Sequence, residues 1–178
     1  MAPAILVLAA GYFIGGAIGD RLFQRTPRGR LIVSMFGVLT GAILFLITLS
    51  IPIENQSMFL VMMMITALFI PFSSANVIST VYDITLPEVR STALAIQYFI
   101  ENGGAALAPL MAGFIARSYS LHIAILTICV SAWTLSAILL AFTAYLVPQD
   151  IQTLRDQMEE RAEIERSREG APGMAEAA

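Results

Sequence analysis

Charge is what this sequence has least of. Only 13% of its 178 residues are charged, where a soluble chain carries about 25%. It has no lysine, so all ten basic residues are arginine. A single cysteine, Cys129, excludes an intrachain disulfide and a zinc cluster. A net charge of −3 with no long basic stripe excludes nucleic acid as a partner on electrostatic grounds. Catalytic patterns are missing too. There is no Gly-x-Ser-Gly nucleophile, no His-Glu-x-x-His and no pair of acids deep in an apolar run. A Gly-x-Gly-Asp site fails because Ala17 stands at its first glycine. His122 is the only histidine, so it has no partner for a metal site. No enzyme activity, cofactor or metal is expected.

What is present is apolar. Hydrophobic residues make up 57% of the chain and mean hydropathy is +0.77. Met1–Gly19, Leu31–Ile53, Asn55–Tyr82 and Ser118–Gln149 carry no charge, and Ser91–Ala116 carries only Glu101. About 20 apolar residues cross a hydrocarbon layer of about 30 Å. The expected fold is therefore an all-α polytopic membrane helix bundle. Its five spans fall near 3–19, 31–52, 58–82, 88–115 and 121–146. The first run lacks the basic start and small-residue end of a signal peptide, and it ends in Asp20-Arg21, so it reads as a span.

The arginines orient the bundle. If all five spans are real, Arg21, Arg25, Arg28, Arg30, Arg90, Arg155, Arg161, Arg166 and Arg168 share one side, and Arg117 stands alone on the other. The positive-inside rule then places the C-terminus in the cytoplasm. The chain opens directly in a span, which makes a missing upstream part the expected explanation. Residues 1–147 form the expected membrane bundle. Residues 148–178 form the expected charged cytoplasmic tail, helical where Ile151, Leu154 and Met158 recur at helical spacing; it either touches the membrane surface or binds a partner. Between the third and fourth spans, Thr85-Leu86-Pro87-Glu88 has the form of a helix start, with Thr85 as cap.

Gly11, Gly15 and Gly19 in the first span, and Gly37 and Gly41 in the second, allow close backbone approach, which packing alone explains. The segment Gly16-Ala-Ile-Gly-Asp20-Arg21-Leu-Phe-Gln-Arg25 is more specific. It resembles the cytoplasmic loop motif of the major facilitator superfamily, with Gly16, Asp20, Arg21 and Arg25 in register. Phe23 replaces the motif's second glycine, and Thr26 its last basic residue. Leu86-Pro87-Glu88-Val89-Arg90-Ser91-Thr92-Ala93 resembles the superfamily's segment between helices ten and eleven. Gly104 to Gly113 resembles its glycine-proline pattern, with Ala108 and Ala112 replacing two glycines. The resemblance covers about residues 10–145 and implies that the spans are helices eight to twelve of a partial major-facilitator half. The loops are similar to those of spinster-like bacterial members. It also implies a conformational gating role for Gly16, Asp20, Arg21 and Arg25. The alternative for that loop is a basic segment that only sets topology.

Glu101 lies about 16 Å along the helix from Arg90, near the bilayer midplane. An acid there is costly unless it faces protein or water, and loss of solvent favours its neutral form. Gln97 and Tyr98 share its face, and Asn102 follows it. These four, with Asn76 and Ser73 beyond mid-helix Pro71, are the expected substrate or proton site. The competing role for Glu101 is a hydrogen-bonded packing residue. The competing role for the Ser73, Asn76, Thr80 and Asp83 stripe is interhelical hydrogen bonding.

The functional expectation is the C-terminal part of a secondary active transporter. It would move an unknown small-molecule substrate by alternating access, with coupling to protons through Glu101. Its partners would be the lipid bilayer and the missing N-terminal half, and its location the plasma membrane. The alternative is a small non-transporting membrane protein that binds a partner.

Overall fold

The computed structural model describes residues 2–52 and 54–170. Among these residues there is no strand. Six α-helices follow one another: α1 (Ala2–Phe23), α2 (Gly29–Leu49), α3 (Gln56–Phe69), α4 (Phe72–Ile84), α5 (Arg90–Ser118) and α6 (Leu121–Gly170), with a 3₁₀ turn at Pro87–Val89 before α5. α3 and α4 are two halves of one span. Pro71 has no N–H to donate and crowds the preceding turn. Ile70 and Pro71 nevertheless keep right-handed helical torsions, so the path continues from Gln56 to Ile84. Counted this way, five helices among the described residues are long and apolar enough to cross a membrane.

α2 is the hub and packs on α1, α3, α4 and α6. α5 lies against α6 and the rim of α4, and none of its residues is buried. The bundle is therefore open along α5. Large apolar side chains cover the outside, including Phe13, Phe36, Phe99 and Phe114. A soluble monomer rarely exposes so much contiguous apolar surface, whereas hydrocarbon accepts it at no cost.

Lipid supplies no hydrophobic force between helices, so close packing and hydrogen bonds must hold them together. A Cβ at Gly15 would stand 2.7 Å from the Phe72 Cα, and one at Gly19 would overlap the Asn76 amide. α1 and α4 thus touch backbone to backbone. The Asn76 Nδ2 donates to the Gly15 carbonyl at 3.0 Å across that seam. The Thr48 and Thr66 hydroxyls lie 3.2 Å apart between α2 and α3, and each also has a carbonyl of its own helix in reach; one hydroxyl donates across the seam and the other to its helix. Phe45 and Trp133 join α2 to α6 edge to face, 5.4 Å between centroids.

Three local features differ from the sequence expectation. α2 starts at Gly29, two residues early, because Gly29 allows its backbone against Leu22 and Phe23. The turn before α5 is not closed by Thr85. Leu86 holds the cap position with no side-chain cap, and the Glu88 carboxylate goes to Arg161 instead. α6 does not stop where the sequence turns polar. It runs through Pro148 to Gly170 as one helix of 50 residues, about 75 Å long. The tail beyond Gly170 lies outside the described residues.

Candidate functional site

At the end of the bundle where the arginines gather, three helix ends converge: the last turn of α1, the first of α2 and the last of α4. Arg30, the second residue of α2, reaches both neighbours. Its Nε and Nη2 donate to the Asp20 Oδ1 at 3.0 and 2.8 Å. Its Nη1 donates to the Asp83 carboxylate. Its guanidinium also stacks 4.2 Å over the centre of the Phe23 ring. One planar cation thus ties three helices together, with two N–H groups on one carboxylate, a third on the other and its face on the Phe23 ring. The Arg30 side chain is 15% exposed and that of Asp83 23%, while Asp20 is 60% exposed. The inner bond is therefore the better shielded from water.

The motif residues divide between roles. Asp20 belongs to this ion cluster. Arg21 and Arg25 do not; with Ile18, Leu22 and Gln24 they line an open surface concavity of about 430 Å³. A Cβ on Gly16 would make only an ordinary 3.8 Å contact with Ala75, so the tight approach falls on Gly15 and Gly19. Arg30 and Asp83, which complete the cluster with Asp20, were not singled out from sequence as a pair. The available signal was the position of Asp83 on the polar stripe of α4 and of Arg30 at a helix start.

A second feature lies further along the helices from the arginine-rich end. Tyr12 of α1, Ser73, Ser74, Val77 and Ile78 of α4, and Gln97, Tyr98, Ile100 and Glu101 of α5 line a cavity of about 360 Å³. The structure therefore brings together Ser73, Gln97, Tyr98 and Glu101, and adds Tyr12 and Ser74. The Gln97 Oε1 is shielded from solvent and accepts no hydrogen bond from the described residues. A shielded acceptor without a donor is costly, so it is a natural point of contact for a ligand or for another helix. Asn102 turns away and donates from Nδ2 to the Tyr98 carbonyl of its own helix at 2.7 Å. Asn76 does not reach the cavity. It is 1% exposed, held between the Gly15 and Phe72 carbonyls, and serves the α1–α4 seam. Thr80, next on that stripe, is also buried and donates to the Asn76 carbonyl.

The turn that starts α5 follows the end of α4. Arg90 fastens it to the end of α4, donating to the Tyr82 carbonyl at 3.1 Å and the Thr85 carbonyl at 3.3 Å. The family model described as Major Facilitator Superfamily matches residues 1–170. No curated protein and no solved structure matches the chain.

Proposed function

Because the chain belongs to the major facilitator superfamily, whose members are transporters embedded in a lipid bilayer and act on small molecules, we propose that it is the C-terminal part of a secondary active transporter, helices eight to twelve, working by alternating access. In such a machine two halves rock about a central site. The observation that carries this reading is the Asp20–Arg30–Asp83 cluster at the matching loop motif. It ties three helix ends at one face of the bundle and can be made or broken as a unit. In this reading the arginine-rich face and the C-terminus are cytoplasmic, and the membrane is the plasma membrane. The intact cluster belongs to the state closed on the cytoplasmic side.

The cavity between α1, α4 and α5 is then one wall of the central site, and the helices that complete it come from an N-terminal half. Bare α5, with Gly103, Gly104 and Gly113 in open space, supplies the facing surface. Ser73, Gln97, Tyr98 and Glu101 contact substrate or proton. Glu101 is the coupling acid: among the residues that line this cavity it alone carries a carboxylate. The spinster-like loops favour that subgroup.

The test uses the intact protein in proteoliposomes, with Cys129→Ser and a reporter Ser73→Cys. Asp20→Asn should speed labelling of the reporter by a membrane-impermeant maleimide from the cytoplasmic side. A panel of solutes screened for dissipation of an imposed pH gradient should yield a substrate, and Glu101→Gln should abolish that proton flux. No change in labelling, together with proton-coupled uptake intact in the Gln variant, would refute the reading.

A further inference from the structure

We propose that the part of α6 beyond Pro148 is a strap that stabilises the intact ion cluster, and so regulates the gate from the cytoplasmic side. The inference rests on the gating reading above and adds to it the element that sets how firmly the gate holds.

The strap begins in the core. Val147 is 1% exposed and Ile151 4%, and both belong to one apolar cluster with Leu31 and Leu140. Phe23 and Ile84 pack against that cluster. Phe23 is the ring on which Arg30 stacks, and Ile84 follows Asp83 in the chain. The first turn of the strap therefore lies directly behind the residues that hold the ion cluster in place.

Its second attachment is ten residues further on, about 15 Å. There the Arg161 Nη1 donates to the Glu88 Oε1 at 2.8 Å. Asp150, Leu154, Gln157 and Arg161 recur at spacings of four, three and four residues, which places them within about 60° on one face of the helix. That face meets the turn before α5. Between the two attachments the helix is not seated. A cavity of about 310 Å³ separates Asp150, Thr153, Leu154 and Gln157 from Ile84, Thr85, Leu86 and Val89. The strap is thus fixed at both ends and loose in the middle.

What it clamps matters more than how tightly. The turn at Thr85–Val89 joins the end of α4, with Asp83, to the start of α5, with Gln97 and Glu101 further along. A strap across that turn resists any motion that draws α4 away from α2 or tilts α5. Its outer attachment is an exposed pair, with side chains 50% and 63% accessible. Such a pair is weak and is screened by salt. A weak exposed latch on a well-buried anchor suits an adjustable contact.

The experiment measures reporter labelling at Ser73→Cys in the intact Cys129→Ser protein in proteoliposomes, from the cytoplasmic side. Arg161→Glu and Glu88→Arg should each speed labelling about two- to fivefold. The double charge swap should return the rate to the parent value, and 1 M salt should erase the differences. Arg161→Gln, which removes the pair without adding repulsion, should move the rate in the same direction by less. Single variants at the parent rate, or a double variant showing the summed effect of the two, would overturn the strap. Asp20→Asn separates this from the gate. If it speeds labelling while the strap variants do not, the strap fails and the gate stands; if neither does, both fall.

Discussion

Asp20 is the residue that the loop motif marks, yet the geometry makes Asp83 the stronger anchor. Both carboxylates accept from Arg30. The Asp83 side chain is 23% exposed and Asp20 60%. Hydrogen bonds to charged groups that are shielded from water contribute about 1.5–3 kcal/mol. An exposed pair contributes about 0.2–1 kcal/mol. Every 1.4 kcal/mol is about tenfold in an equilibrium. Asp83→Asn should therefore shift the balance away from the intact-cluster state about ten- to a hundredfold, and Asp20→Asn about fivefold at most. Arg30→Gln removes both bonds and leaves Asp83 unpaired, so it should match or exceed Asp83→Asn. Arg30→Lys keeps the charge but loses the fork, and should fall between the two aspartate variants. The assay is the rate of cytoplasmic-side maleimide labelling at Ser73→Cys in the Cys129→Ser protein, with thermal stability measured in parallel. An Asp20→Asn effect equal to or larger than that of Asp83→Asn would refute the reasoning, because burial would then not set the order.

Other predictions are simpler. Gly19→Ala should lower the melting temperature of the purified protein, because its Cβ would overlap the Asn76 amide; overpacking of this kind costs about 1–3 kcal/mol. Gly16→Ala should be neutral or slightly stabilising, since the contact with Ala75 is ordinary and alanine favours the helix by about 1 kcal/mol. Glu101→Gln should fold and reach the membrane but lose uphill proton-driven transport; robust uphill transport with parental pH dependence would make Glu101 a packing residue. A cysteine at Gln56 in the Cys129-free protein should be labelled only from outside the cell, and labelling solely from the cytoplasmic side would reverse the proposed topology.

The helices were legible because the signal was long. Runs of twenty or more uncharged residues leave little choice of structure in hydrocarbon, where every backbone polar group must be satisfied within the segment. The partition of polar side chains was not legible. Ser73, Asn76, Thr80 and Asp83 share a face by helical geometry, and a single role was the natural expectation. In the fold that face meets three surroundings in turn. Ser73 edges the cavity, Asn76 and Thr80 are buried, Asn76 against α1, and Asp83 meets Arg30. Periodicity identifies a face, but tertiary packing decides which neighbour covers each level of it. The same limit applied to Pro148. A proline beside a charge-rich segment reads as a boundary, yet Val147 and Ile151 bury their side chains on either side of it and carry the helix through.

One pattern in the ion cluster becomes visible only when all three helix ends are considered together. Carboxylates are favoured at the positive N-terminus of a helix and cations at its negative C-terminus. Asp20 lies in the last turn of α1 and Asp83 in the last turn of α4, while Arg30 lies in the first turn of α2. Each is therefore on the wrong end of its own helix. Brought together, the two carboxylates sit at the positive pole of α2 and accept from Arg30, so each helix corrects the placement error of another. Apart, all three errors return. A cluster built this way is favourable only where the helix ends meet, which widens the difference between joined and separated states. Local rules broken in concert, with the compensation supplied only by tertiary contact, are a mark of sites retained for function rather than for stability.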